Sequence, residues 1–282
     1  NHAITLEGKQ RELTILFSDI KSFTYRTETL GNEIIDVLNV HYNKVIHSVH
    51  EATGVVGSII GDAILAIFGT EVSGSSKSLK AIEVAWEITN VTAELRDKMI
   101  ERRKEIEKTR RLTAAEDRVY QAVLLDIGVG IDGGNVFYGN IGSDEHMANT
   151  VIGDNVNSSS RLEGLTRIYH LPVIVSEYIK DEVENVSTRY KFYEIDTVQV
   201  KGKTKGKKIY FPVDTYAQSA SIVIEKFDKF KDGLEAYYKG DWSKARKKFK
   251  DCDHDVCEVF LERMGRKSAP AKWSGIWTMT TK

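Results

Sequence analysis

Two aspartates stand where an ionised carboxylate is costly to place. Asp19 closes the apolar run RELTILFSDI at 11–20, and Asp62 interrupts VVGSIIGDAILAIFG at 55–69 directly after Gly61. A carboxylate beside apolar strands loses hydration unless a cation or a set of donors replaces it. Each alone reads equally as a turn residue, because aspartate is common in turns. As a pair, gathered at one end of a sheet by neighbouring strands, they would suit hard divalent cations. Two such ions activate a hydroxyl nucleophile and stabilise a phosphate leaving group.

Other groups extend that chemistry. Asn157 and Arg161, in DNVNSSSRLE, are four residues apart and share a helix face. The plain alternative is an exposed polar face. Lys201 and Lys203, in VKGKTKGKK, lie at a predicted hairpin tip, which could equally be an ordinary solvated turn. Metal ligands, a guanidinium and an ammonium together make the inventory that phosphoryl transfer requires.

The elements that would position these groups follow from periodicity. Residues 11–20 read as a strand, 23–50 as a helix ended by Gly54, and 55–60 and 63–68 as strands turned at Gly61-Asp62. Residues 69–78 form a loop, and 79–99 a helix that continues through the mixed-charge, solvated stretch 101–118. Strands are expected at 119–131 and 135–142, joined at Asp132-Gly133-Gly134, followed by a helix over 155–169 and a strand over 171–177. YKFYEIDTVQV and KKIYFPVDTY frame a terminal hairpin. The order β-α-β-β-α-β-β-α-β-β-β predicts an α+β fold with a ferredoxin-like mixed sheet and helices mainly on one face. From Phe227 onward two amphipathic helices joined at Lys239-Gly240-Asp241 are similar to a tetratricopeptide pair, and WSGIWTMTTK suggests a docked end.

Composition narrows the classes. The 282 residues are 41% hydrophobic and 29% charged, with a net charge of -1, so no global basic field points to nucleic acid. No apolar run reaches the length of a membrane span. The chain opens on Asn1, so a membrane anchor or sensor, if there is one, is expected in regions outside this sequence, and the domain itself in the cytoplasm. GVGIDG at 128–133 matches a dinucleotide glycine pattern, but a strand-like segment follows where a helix should open. His41, His47 and His50 read as surface histidines, and Cys252, His254 and Cys257 as a helical segment with reduced thiols rather than a zinc site.

FSDIKSFT, GDAILAIFG, GVGIDGGNVFYGNIGS, TVIGDNVNSSSRLE and VKGK, in this order, resemble the class III nucleotidyl cyclase catalytic domain over about residues 9–215. The resemblance implies a catalytic domain over 1–215 with a helical extension over 216–282. It implies a homodimer with active sites shared between subunits and two Mg²⁺ or Mn²⁺ ions per site. Asp19, Asp62 and the backbone carbonyl of Ile20 match the metal ligands. Asn157 matches the residue that orients the ribose, Arg161 the one that stabilises the α-phosphate, and Lys201 a triphosphate-binding lysine. The second group would come from the partner chain. Ser58 stands where adenylyl cyclases usually carry Lys and guanylyl cyclases Glu. Its partner in base recognition aligns with Thr150, while Asn149 replaces the usual Tyr and the 101–118 connection is long. The expected activity is conversion of ATP to cyclic AMP and pyrophosphate. The alternatives are a guanylate cyclase acting on GTP and a non-catalytic nucleotide sensor.

Overall fold

β1 (Thr5–Ile20) and β4 (Ile127–Ser143) form the spine, antiparallel from Thr5 opposite Gly142 to Ile20 opposite Ile127. This computed structural model describes residues 5–71, 76–143, 146–199 and 205–279. After β1 come α1 (Phe23–Leu30), α2 (Ile34–Glu51), β2 (Val55–Ile60), β3 (Ala63–Phe68), α3 (Lys77–Glu107) and α4 (Ala114–Val123). β4 is followed by β5 (His146–Ile152), α5 (Asp154–Tyr169), β6 (Val173–Ser176), α6 (Glu177–Glu184), β7 (Tyr190–Gln199) and β8 (Gly206–Asp214). α7 (Ala220–Lys239), α8 (Trp242–Cys252) and α9 (Asp255–Met264) complete the order.

The strands form one mixed sheet in the order β2-β3-β1-β4-β6-β8-β7, with β5 also paired to β4. Among the described residues only the β4–β6 pairing is parallel. The alternation of side chains across a strand then divides the core. Ile127, Val129 and Ile131 of β4 face a cluster supplied by Val45 and Val49 of α2, Ala81 and Ala85 of α3, and Ile179 of α6. On the opposite face α5 brings Leu162, Leu165 and Tyr169 into a cluster with Phe227 of α7, Phe249 of α8 and Phe260 of α9. The sheet is therefore covered on both faces, not mainly on one. The C-terminal helices bury aromatic rings in the same cluster as α5 and β7.

Glycines let α5 lie directly on β4. A Cβ added at Gly130 would come 2.2 Å from the amide nitrogen of Glu163 and 2.3 Å from the carbonyl oxygen of Ser159. GVGIDG is thus the floor under a helix. Asp132-Gly133-Gly134 is no hairpin, because β4 continues through it opposite Leu13, Thr14 and Ile15.

Three further segments differ from the periodicity. Residues 119–123 belong to α4, not to a strand. α4 begins at a capping box in which the Thr113 hydroxyl accepts from the Glu116 amide and the Glu116 carboxylate accepts from the Thr113 amide. The charged helix stops at Glu107 and restarts at Ala114, and the helix over 23–50 is divided by a short 3₁₀ turn at Gly31–Glu33. β5, α6 and α9 lie outside the elements expected from the sequence.

Gly130→Ala should force α5 off the sheet and lower stability by about 1–3 kcal/mol. Gly164→Ala, on the same helix with nothing within 4 Å of the added methyl, should be neutral or stabilising by about 0.5–1 kcal/mol. Urea unfolding of the two variants checks the contrast.

Candidate active site

Local geometry explains how two carboxylates come to lie together. β1 pairs with β3 through Ser18 opposite Ile64, so the end of β1 is level with the β2–β3 turn. Gly61 takes a φ of 62°, a left-handed conformation that suits glycine and reverses the chain so that Asp62 lies beside Asp19. Tyr42 of α2 donates its hydroxyl to the Gly61 carbonyl and holds the turn from outside.

Asp62 lies within reach of a side-chain hydrogen bond to Asp19 when one of the two carboxyls is protonated. Burial, and then this bond and the charge of Asp19, push the Asp62 carboxyl up to about 7. The amides of Asp62 and Ile20 pull the other way, and the Ile20 N–H also donates to Asp19 Oδ1 at 2.8 Å. The structure thus brings together the three positions expected to bind metal. A like-charged oxygen pair that holds a proton at neutral pH fits hard divalent ions, which would replace that proton. Among the described residues no group of three or more His, Cys, Asp or Glu side chains gathers as a metal cluster. Here the donors are two carboxylates, with the Ile20 carbonyl at the same strand end. Cys252 and Cys257 are buried free thiols, and His254 Nδ1 accepts the Val256 amide at the start of α9.

Two residues that the motif reading passed over complete the anionic centre. The Arg167 guanidinium lies 3.2 Å from Asp19 Oδ2 and donates to Glu163 Oε2 at 3.3 Å. Burial pushes the Glu163 carboxyl up to about 7 against the pull of Arg167. Their i, i+4 spacing was the available signal, but nothing in the sequence places them against β1. His41 is not a surface histidine. It is buried, and desolvation followed by the nearby Lys44 charge lowers it to about 4, which keeps it neutral.

The other candidate residues lie apart from this pair. Arg161 lines a cavity of about 440 Å³ between α5 and the β7–β8 hairpin, with Asp132, Ser158, Thr197 and Lys207. Asn157 is exposed one turn earlier on the same helix. No hydrogen bond or ion pair among the described residues joins either one to Asp19 or Asp62. Ser58 is half-buried on β2, opposite Leu65 and just past a bulge at Gly57. Thr150 is half-buried on β5, a strand that lies against β2. Lys201, Lys203 and the side chain of Asn149 lie outside the described residues.

A family model described as the adenylate and guanylate cyclase catalytic domain matches residues 7–214. The chain belongs to that family. Among curated cyclases, an adenylate cyclase of Anabaena cylindrica is 32% identical over 204 residues, covering 71% of this chain and 36% of the relative. A terminal-differentiation-specific adenylate cyclase of Dictyostelium discoideum is 28% identical over 244 residues, covering 86% of this chain and 10% of the relative. The chain therefore spans well under half the length of either relative. The solved adenylyl cyclase CyaB of P. aeruginosa superposes with a TM-score of 0.59 at 25% identity, covering 74% of this chain and 97% of that one. The mixed sheet flanked by helices is thus the class III cyclase fold. No helix among the described residues is long and apolar enough to cross a membrane.

The raised carboxyls carry a sign. The folded cyclase domain binds protons at Asp62 and Glu163 more tightly than the unfolded chain does. Without metal, its stability should therefore fall as pH rises from the ordinary carboxylate range to about 7 and level off above that. Asp62→Asn should raise the melting temperature of metal-free protein most near pH 8, less near pH 5, and not at all below the ordinary carboxylate range, as thermal melts across that span would show.

Proposed function

We propose that the chain is an adenylate cyclase that converts ATP to cyclic 3′,5′-AMP and pyrophosphate at active sites shared by two copies of itself. The observation that carries this reading is the Asp19–Asp62 pair at the Ile20 strand end, separated from the Arg161 cavity on the same chain. Asp19, Asp62 and the Ile20 carbonyl would hold Mg²⁺ or Mn²⁺, which when bound lowers the pKa of the ribose 3′-hydroxyl and neutralises triphosphate charge. Asn157 orients the ribose through its carboxamide. Arg161 donates to the α-phosphate as the new P–O bond forms and the bond to the bridging oxygen breaks, releasing pyrophosphate. Lys201 binds the triphosphate.

Support for a second copy comes from the rim of the sheet. Ile59 and Ile60 of β2 and Ile152 of β5 are exposed, on strands that lie against each other. Apolar residues grouped in this way suit a covering partner. The adenine assignment rests on Thr150 and on relatives named adenylate cyclases. Ser58 offers one hydroxyl and discriminates weakly between purines.

Purified protein with Mn²⁺ should produce cyclic AMP from ATP, read by chromatography. Product only from GTP would make the chain a guanylate cyclase, and nucleotide binding without product would make it a sensor. Chains carrying Asp62→Ala and Arg161→Ala should each be inactive as homodimers and regain activity when mixed, because one of the two interfaces is then intact. Verified mixed dimers without activity would refute the shared site.

A further inference from the structure

The C-terminal helices reach the nucleotide-binding half of the site through one buried ion pair. Arg263 of α9 donates to Asp196 Oδ2 of β7 at 2.7 Å and to the Tyr169 hydroxyl at the end of α5 at 3.0 Å. Tyr169 itself donates to Asp196 Oδ2 at 2.6 Å, and the Thr197 amide donates to Oδ1 at 2.8 Å. The side chains of Arg263 and Asp196 are 7% and 1% exposed. The rings of Phe260, Tyr169 and Trp277 surround the guanidinium at 4.9, 5.4 and 5.8 Å.

A bulge makes this arrangement possible. The β7–β8 register slips between Glu194 and Asp196, so that Ile195 and Asp196 are both buried in succession. Thr197 and Val198, immediately after the anchored carboxylate, line the same cavity as Arg161. Thr197 also donates to the Tyr238 hydroxyl of α7 at 3.2 Å. A Cβ at Gly206, the first residue of β8, would come 2.8 Å from Ile276 of the tail. Tyr169 lies eight residues after Arg161, about 12 Å along a rigid helix.

We propose that Arg263 is a positioning residue for the nucleotide-binding half of the active site, fixing α5 and the base of the β7–β8 hairpin to each other through Tyr169 and Asp196. The proposal rests on the cyclase reading of Arg161 given above. A buried ion pair is often no more stabilising than apolar residues of the same volume, so its value here is geometric. It sets the distance between the helix that carries Arg161 and the strand that carries Thr197 and Val198 into the same cavity. Displacement of a catalytic group by about 1 Å can cost about 100-fold in rate.

Arg263→Met alone leaves a buried carboxylate unpaired, so it is combined with Asp196→Asn, which removes that charge. With folding verified by thermal melting, the double variant should lose roughly 10- to 100-fold in kcat for Mn²⁺-ATP. Its Mn²⁺ affinity without nucleotide, read by electron paramagnetic resonance, should be unchanged, and Arg263→Lys should retain part of the lost rate. A kcat within twofold of the parent overturns the proposal, as does Mn²⁺ binding that weakens in step with kcat. In mixed dimers the double variant should complement Asp62→Ala and fail to complement Arg161→Ala, since its lesion lies in the Arg161 half. If the Asp62→Ala and Arg161→Ala control pair itself fails to complement, the shared-site reading falls. The kcat and Mn²⁺ measurements on the homodimer still decide the role of Arg263.

Discussion

Two carboxylates that repel each other are held side by side where β1 ends and the β2–β3 turn begins, and the fold is organised to keep them there. Repulsion of this kind would separate groups on flexible segments. Here each aspartate is anchored on a hydrogen-bonded strand end, β1 being paired with β3 on one side and β4 on the other. Tyr42 holds the turn, Arg167 supplies a nearby positive charge, and the repulsion that remains raises the Asp62 carboxyl well above the usual carboxylate range. Such a site would suit cations, because the protein has already met the cost of assembling the negative charge.

α5 links that anionic centre to everything else. Its floor is Gly128 and Gly130, where no side chain intervenes between helix and strand. Along its length it presents Asn157 and Arg161 to solvent and the cavity, Glu163 and Arg167 toward Asp19, and Tyr169 to the C-terminal helices. The aromatic cluster that α7, α8 and α9 build around Tyr169 has a consequence for the site as well as for stability.

The sequence was most legible where geometry leaves a compositional trace. Apolar runs marked β1, β2 and β3, Gly61-Asp62 marked their turn, and the i, i+4 pair Asn157 and Arg161 marked α5. It misled where a local rule had two readings. Val119, Tyr120 and Val123 are strand-favouring types, yet the capping box at Thr113 and Glu116 starts a helix that buries Ala122. The glycines of β4 looked like turn residues because close packing of a helix on a strand is a tertiary demand that no local pattern expresses. Asp196 was illegible for a related reason. Strand alternation cannot reveal a bulge, so a buried carboxylate in EIDTV looks like any edge residue.

The same distinction explains why the chemistry can be read further than the choice of base. Metal-directed phosphoryl transfer requires formal charges at fixed positions, and charges among apolar residues stand out in a sequence. Discrimination between adenine and guanine depends on a few neutral hydrogen bonds whose donors and acceptors must be aimed correctly. Ser58 can serve either base because its hydroxyl both donates and accepts. The bulge at Gly57, immediately before it, sets the pleat of β2 at that point, and β5 carries Thr150 alongside. On the cyclase reading proposed above, base selection would rest on backbone geometry at β2 and β5, not on a charged side chain.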